Sequence, residues 1–217
     1  MKSLKITASI VALLSASCLS ASASDLLSLK DTPATLSDIN WNGCYFSAGG
    51  GATFAKSHVS TAAGNIDLGL SGGNFDGRIG CDRTIGKGIL FGVFGELGGL
   101  RDVNGTVNAV SGTSIAQRYN WKVGARTGVE IGNAMPYVLA AFTHEDVEIS
   151  GPTKGLDGGT VGAGVEIKIP DSNWRIALEG SYSVFEDANL LVAGNKFKAS
   201  NDEEKIGLRL SWYPKFN

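Results

Sequence analysis

His58 and His144 are the two imidazoles of the 217-residue chain. A lipid-modifying hydrolase needs histidine, serine and an acid in mutual reach, so that the ring takes the serine proton and the acid orients the ring. His144 beside Glu145 supplies two of those three types. Loop histidines are ordinarily just solvated, so the chain is read as a non-enzyme with no catalytic residues. The same histidines are the candidates for ligating a haem iron; apart from that reading, no cofactor is expected. Cysteine and histidine do not cluster at zinc-site spacing, so no metal is expected either. Gly92, Gly95 and Gly98 match no phosphate loop, because they fall inside a strand pattern and not between strand and helix.

The other chemistry-bearing residues are charges, and their spacing is regular. Asp76, Asp82, Glu96, Glu130, Glu166 and Glu179 share one parity with Arg78, Lys122, Arg126, Arg175, Lys205 and Arg209. The opposite parity is nearly free of charge in mid-segment. Balanced charge on one face and apolar residues on the other describe an element with two different environments. A period of two makes that element a β-strand. Phe75 to Asp82 shows it: Phe75, Gly77, Ile79 and Cys81 oppose Asp76, Arg78, Gly80 and Asp82. Similar alternation starts at Cys44, Ile89, Trp121, Val161, Trp174 and Lys205, whereas Pro136 to Thr143 is apolar on both faces and its register is ambiguous.

The connections alternate in length. Gly86-Lys87-Gly88, Gly132-Asn133-Ala134 and Pro170-Asp171-Ser172-Asn173 are short turns, and the polar stretches 56–72, 101–114, 148–158 and 188–201 read as long loops. Eight strands with short turns at one end and long loops at the other predict an all-β, eight-stranded antiparallel up-and-down transmembrane barrel. The charged face then points inward, since a base facing lipid costs about 2–4 kcal/mol at the midplane. A soluble ligand-binding barrel would be the inverse, greasy within and charged without.

The first residues support export. Lys2 and Lys5 precede an apolar stretch, Ile6 to Leu14, and Ala21-Ser22-Ala23 is a small-x-small cleavage site, so residues 1–23 read as a signal peptide. No second long apolar run follows, and only a closed barrel crosses a membrane without helices. Residues 24–40 read as a periplasmic leader, 41–213 as the barrel and 214–217 as a tail. The net charge of −2 argues against nucleic acid as a partner. The 30 glycines are about twice the average share. Gly80, Gly92, Gly124, Gly128, Gly162, Gly164 and Gly207 lie on the charged face, where they give long side chains room in a narrow lumen or simply relieve curvature. Trp41, Tyr45, Trp174, Trp212 and Tyr213 are expected as a periplasmic aromatic belt. Phe54, Phe75, Tyr119, Trp121, Phe142, Tyr182 and Phe185 are expected toward the outside.

The ordered motifs resemble a known family. Trp41-Asn42-Gly43-Cys44-Tyr45 resembles the opening of the first strand in the small porin-like outer-membrane proteins of alphaproteobacteria. Phe91-Gly92-Val93-Phe94-Gly95-Glu96 resembles their third strand, and Trp121 to Gly128 followed by Met135-Pro136-Tyr137-Val138 their fourth and fifth. Thr160 to Glu166 followed by Asn173-Trp174 resembles the sixth and seventh. The resemblance implies an eight-stranded outer-membrane barrel, often structural and immunogenic, with haemin binding attributed to some members. Two departures stand out: Tyr213 to Asn217 follow the final strand signal ending at Trp212, and Cys44 stands where an aromatic residue is common.

Export also bears on Cys44 and Cys81, which share a face near the periplasmic rim. Their parity allows a cross-strand disulfide, provided the Cα atoms lie within about 7 Å. Two free thiols acting as small apolar residues are the alternative. The interior charge network is expected to comprise Asp76, Arg78, Glu96, Lys122, Arg126, Glu130, Glu166, Arg175, Glu179 and Arg209. The expected partners are outer-membrane lipid and the barrel-insertion machinery, with the protein itself a monomer. Its role is read as structural: envelope integrity and surface presentation. A small diffusion channel is the remaining alternative.

Overall fold

Period-two segments with one apolar face must pair with one another, because each strand carries unpaired N–H and C=O groups that lipid cannot satisfy. A computed structural model of the chain shows how they do so. It describes residues 40–61, 64–86, 88–101, 104–106, 114–149, 153–186, 188–192 and 195–214. The expected signal peptide and nearly all of the expected leader lie outside the described residues, as do residues 215–217 of the tail.

The described residues form β1 (Gly43–Thr61), β2 (Gly64–Ile85), β3 (Ile89–Arg101), β4 (Asn104–Thr106), β5 (Ser114–Val129), β6 (Ala134–Ile149), β7 (Thr153–Lys168), β8 (Trp174–Phe185), β9 (Ala188–Val192) and β10 (Asn195–Trp212). Eight of them pair antiparallel in the order β1-β2-β3-β5-β6-β7-β8-β10. β10 then returns to β1, from Phe46 opposite Trp212 to Ser60 opposite Lys198. The sheet is thus an eight-stranded barrel without a free edge. The short strands β4 and β9 pair with β5 and β10 at one end.

Gly86 and Gly88, with φ of 65° and 77°, turn the chain between β2 and β3 at the other end, next to Gly43 and Trp212. Three of the polar stretches expected as loops are mostly extended where described, while residues 102–103 and 107–113 of the stretch 101–114 lie outside the described residues. β1 runs to Thr61 and β2 starts at Gly64; β6 runs to Ile149 and β7 starts at Thr153; β9 and β10 divide the stretch 188–201. Beyond the bilayer both faces of a hairpin meet water, so its ladder continues while the apolar–polar alternation that marks a strand fades.

The outward face is apolar. Phe75 is 66% exposed, Ile79 59%, Val123 58% and Leu208 57%, values that a chain surrounded by water does not spread over a whole surface. On β1 the outward residues from Phe46 to Phe54 cover the span that a tilted strand needs to cross a bilayer, about 9–11 residues. Phe46 stacks on Trp212, and Trp174 packs beside Trp212, at the short-turn end. Trp121 packs on Phe142 at the other end.

The aromatic belt is smaller than expected. Trp41, Tyr45, Tyr213 and Phe185 turn into the barrel and are buried. Pairing parity fixes this: Tyr45 adjoins outward Cys44 and Phe46, and Tyr213 follows outward Trp212. Parity also settles the ambiguous strand, since Met135, Tyr137 and Leu139 point inward, where they form an apolar cluster with Trp41, Leu90, Phe94 and Ala177.

Candidate functional site

The lumen holds the charges, and they fall into three tiers along the barrel axis. In the tier nearest the short turns, Arg126 donates from Nε and Nη2 to the two Asp82 oxygens at 3.1 and 2.5 Å, and from Nη1 to Glu166 at 3.1 Å. Arg175 donates to the other Glu166 oxygen at 3.1 Å. The Tyr213 hydroxyl donates to Asp82 at 2.7 Å and accepts from Arg126 at 2.9 Å. The Arg175 guanidinium lies 3.4 Å from the Tyr213 ring centre and 4.6 Å from that of Trp41. The inward aromatics therefore cap this tier, and the guanidiniums meet them through cation–π contact.

In the middle tier Arg78 bridges Glu96, at 2.6 Å, and Glu179, at 2.7 Å. Arg209 reaches Asp76 at 2.7 Å and Glu96 at 3.0 Å, and Lys122 stands 3.6 Å from Glu96. The Tyr137 hydroxyl donates to Glu179 at 2.7 Å. The forked guanidiniums let Arg126, Arg78 and Arg209 each serve two carboxylates, so every buried charge in these two tiers meets an opposite one. A small cavity of about 30 Å³ beside Asp76, Lys122 and Arg209 is room for a water or so, and no passage.

In the outer tier only Lys205 is among the charges expected on the inward face. Glu145 and Glu203 are buried there, and Lys205 Nζ lies 2.7 Å from Glu203. Thr160 and Ser183 share a hydrogen bond at 2.8 Å. A sequence signal existed: Glu203 shares parity with Lys205, and Glu145 shares parity with Thr143 in the strand of ambiguous register.

Nine of the ten residues expected in the interior network join these tiers. Glu130 does not. It lies just past the end of β5, where it accepts a hydrogen bond from the Thr84 hydroxyl. Inner glycines make the room in two ways. A Cβ on Gly80 would stand 2.6 Å from the Tyr45 ring, and one on Gly164 2.7 Å from that of Tyr137. Gly124, Gly128, Gly162 and Gly207 instead face a neighbouring strand's backbone carbonyl closely. Gly92 makes room for the Asp82 carboxylate, as expected, while the others seat tyrosine rings and draw strands together.

Cys44 and Cys81 stand opposite each other in the β1–β2 ladder, with Cα atoms 3.9 Å apart and the sulfurs bonded at 2.05 Å. Both face outward near the short-turn rim.

His144 lies on β6, the fifth strand of the barrel, and points outward above Phe142. Its ring stacks on Trp121, its Nδ1 is 2.5 Å from Asp157, and its Nε2 is 3.6 Å from Asp146. Both nitrogens thus face carboxylates, an arrangement poorly suited to haem ligation. Glu145, its sequence neighbour, points the other way into the lumen, which dissolves the His144–Glu145 dyad. His58 lies on β1 opposite Asp67 and Ser200, and its side chain is outside the described residues. Among the described residues no group of three or more His, Cys, Asp or Glu is set to hold a metal ion.

Comparison with known proteins places this architecture. The family model for the outer membrane protein beta-barrel domain matches residues 9–210. The 25 kDa outer-membrane immunogenic protein of Brucella canis is 25% identical over 128 residues, covering 57% of this chain and 58% of the relative. Its counterpart in Brucella abortus biovar 1 is 25% identical over 131 residues, with the same shares. The chain therefore matches less than two thirds of those relatives' length. Among solved structures, Neisserial surface protein A is 16% identical with a TM-score of 0.46, covering 79% of this chain and 97% of that one.

Proposed function

Because the chain belongs to the outer membrane protein beta-barrel domain family, and so resides in the cell outer membrane, we propose that it is a sealed structural barrel: it adds to envelope integrity and presents its long hairpins at the surface. The observation that carries the reading is the filled lumen. Two tiers of interlocked arginines and carboxylates, capped by Trp41, Tyr45 and Tyr213, occupy the space through which a solute would pass. Such a lumen is suited neither to diffusion nor to turnover, and it holds the wall in one register. The name shared by the Brucella relatives, outer-membrane immunogenic protein, supports surface exposure of the hairpins. On this reading the chain is a monomer whose partners are outer-membrane lipid and, during assembly, the insertion machinery.

The test uses cells with and without the gene. Antibody raised against the hairpin 56–72 should label intact producing cells. Loss of the protein should increase detergent sensitivity, and complementation should restore resistance. Unlabelled intact cells together with unchanged sensitivity would overturn the proposal.

A further inference from the structure

The outward wall carries a hollow and a base that lie side by side. Phe46, Ile79, Cys81, Val93 and Val123, from four successive strands of the barrel, bound an apolar hollow of about 590 Å³. That volume falls among those of ligand pockets, about 300–1,000 Å³. A Cβ on Gly95 would meet no heavy atom within 4 Å, so the hollow is open above this residue. It runs from Cys81, near the short turns, to Val123 at mid-band. That is the depth of one leaflet, half of a hydrocarbon core about 30 Å thick. The base is Arg83, exposed on the outward face of β2. It stands two residues beyond Cys81 toward the short turns, about 7 Å along the strand. Its neighbour across the β2–β3 ladder is the exposed Phe91. Arg78, Arg126, Arg175 and Arg209 all meet carboxylates in the lumen. Arg83 meets none among the described residues.

A base on the lipid face calls for an anion, and at the boundary of a bilayer the anion at hand is a lipid phosphate. A guanidinium suits a phosphate through two parallel hydrogen bonds. An apolar hollow one leaflet deep, with a guanidinium at its mouth, fits a molecule that is apolar along its length and anionic at one end. We propose that this face binds one anionic glycerophospholipid of the periplasmic leaflet, with an acyl chain in the hollow over Gly95 and the phosphate on Arg83. An anionic headgroup is favoured over a zwitterionic one, whose own ammonium offsets the phosphate charge. A second copy of the chain fits less well. Two copies paired through this face about an axis along the membrane normal would set Arg83 against Arg83 at one level, like charge against like. The site rests on residence in the outer membrane and is independent of whether the lumen is sealed.

The test uses the full chain refolded in detergent, its barrel state verified by heat-modifiable mobility. Native mass spectrometry follows the addition of dioleoyl phosphatidylglycerol or dioleoyl phosphatidylcholine. The parent should retain one phosphatidylglycerol saturably, and phosphatidylcholine more weakly. Arg83→Gln should weaken phosphatidylglycerol binding about fivefold, the effect of one basic side chain at an anionic surface, and should erase the preference between the lipids. Gly95→Leu fills the hollow from the outward side and should weaken retention of both lipids. Should Gly95→Leu fail to refold, Val93→Trp narrows the same hollow from one wall and should do the same. Phosphatidylglycerol binding unchanged in either Arg83→Gln or the hollow-filling variant would overturn the proposal, as would a ladder of adducts with no preference between the lipids. A dimer that is lost in Gly95→Leu, with no lipid adduct in the parent, would overturn it in favour of a second copy at this face.

Discussion

Replacing Arg126 by methionine removes the hub of the tier that seals the short-turn end. Arg126 is 2% exposed and donates to Asp82 at 3.1 and 2.5 Å and to Glu166 at 3.1 Å, while Tyr213 donates to Asp82 at 2.7 Å. Without Arg126, Glu166 keeps Arg175, but Asp82 keeps only the Tyr213 hydroxyl. Removing one partner of a buried ion pair costs about 3–5 kcal/mol, chiefly because the other charge is stranded. Arg126→Met should therefore lose about that much, and Arg126→Met with Asp82→Asn should lose clearly less, because the stranded charge is gone. The loss should not be read as the strength of the salt bridge, since replacing both partners of a buried pair is often nearly neutral. The assay is urea unfolding of the barrel refolded into lipid vesicles, read by tryptophan fluorescence and heat-modifiable mobility. A single variant within about 1 kcal/mol of the parent would refute the hub. A double variant as unstable as the single would refute stranded charge as the cause.

Other consequences follow from the same geometry. Val123→Arg places a base at mid-band on the outward face and should cost about 2–4 kcal/mol in the same assay, whereas arginine at Lys56, above the band, should cost almost nothing. Gly80→Ala would drive a methyl into the Tyr45 ring and should lower stability by about 1–3 kcal/mol. The Cys44–Cys81 bond closes a loop with a sequence separation of 37, so Cys44→Ser with Cys81→Ser should cost up to about 4 kcal/mol relative to the oxidised parent on loop entropy. A haemin titration should show no Soret shift that His144→Ala removes, since both ring nitrogens face carboxylates.

Much of this architecture was legible in the order of residue types. Strict alternation, as in Phe75 to Asp82, gave strands and both faces, because lipid outside and packed charge inside make the parity of every residue matter. The same logic failed where one environment ceased to differ from the other. Above the bilayer the hairpins meet water on both faces, so continuous strands read as loops. On β6 the inward residues Tyr137 and Leu139 are as apolar as the outward Val138, so parity was blurred, and Glu145 went unnoticed as a lumen residue. Tryptophan and tyrosine at strand ends were read by type, as an interfacial belt, when their parity already turned Tyr45 and Tyr213 inward. The pairing of individual charges lay beyond the sequence, because Arg78 and Glu179 meet across the lumen from strands far apart in the chain.

The most direct test of a sealed barrel is electrical. The refolded chain, its barrel state verified by heat-modifiable mobility, is inserted into planar lipid bilayers under a voltage ramp. The filled lumen predicts no steady conductance above the lipid background. Reproducible, steady channel steps from the unmodified chain would contradict the account.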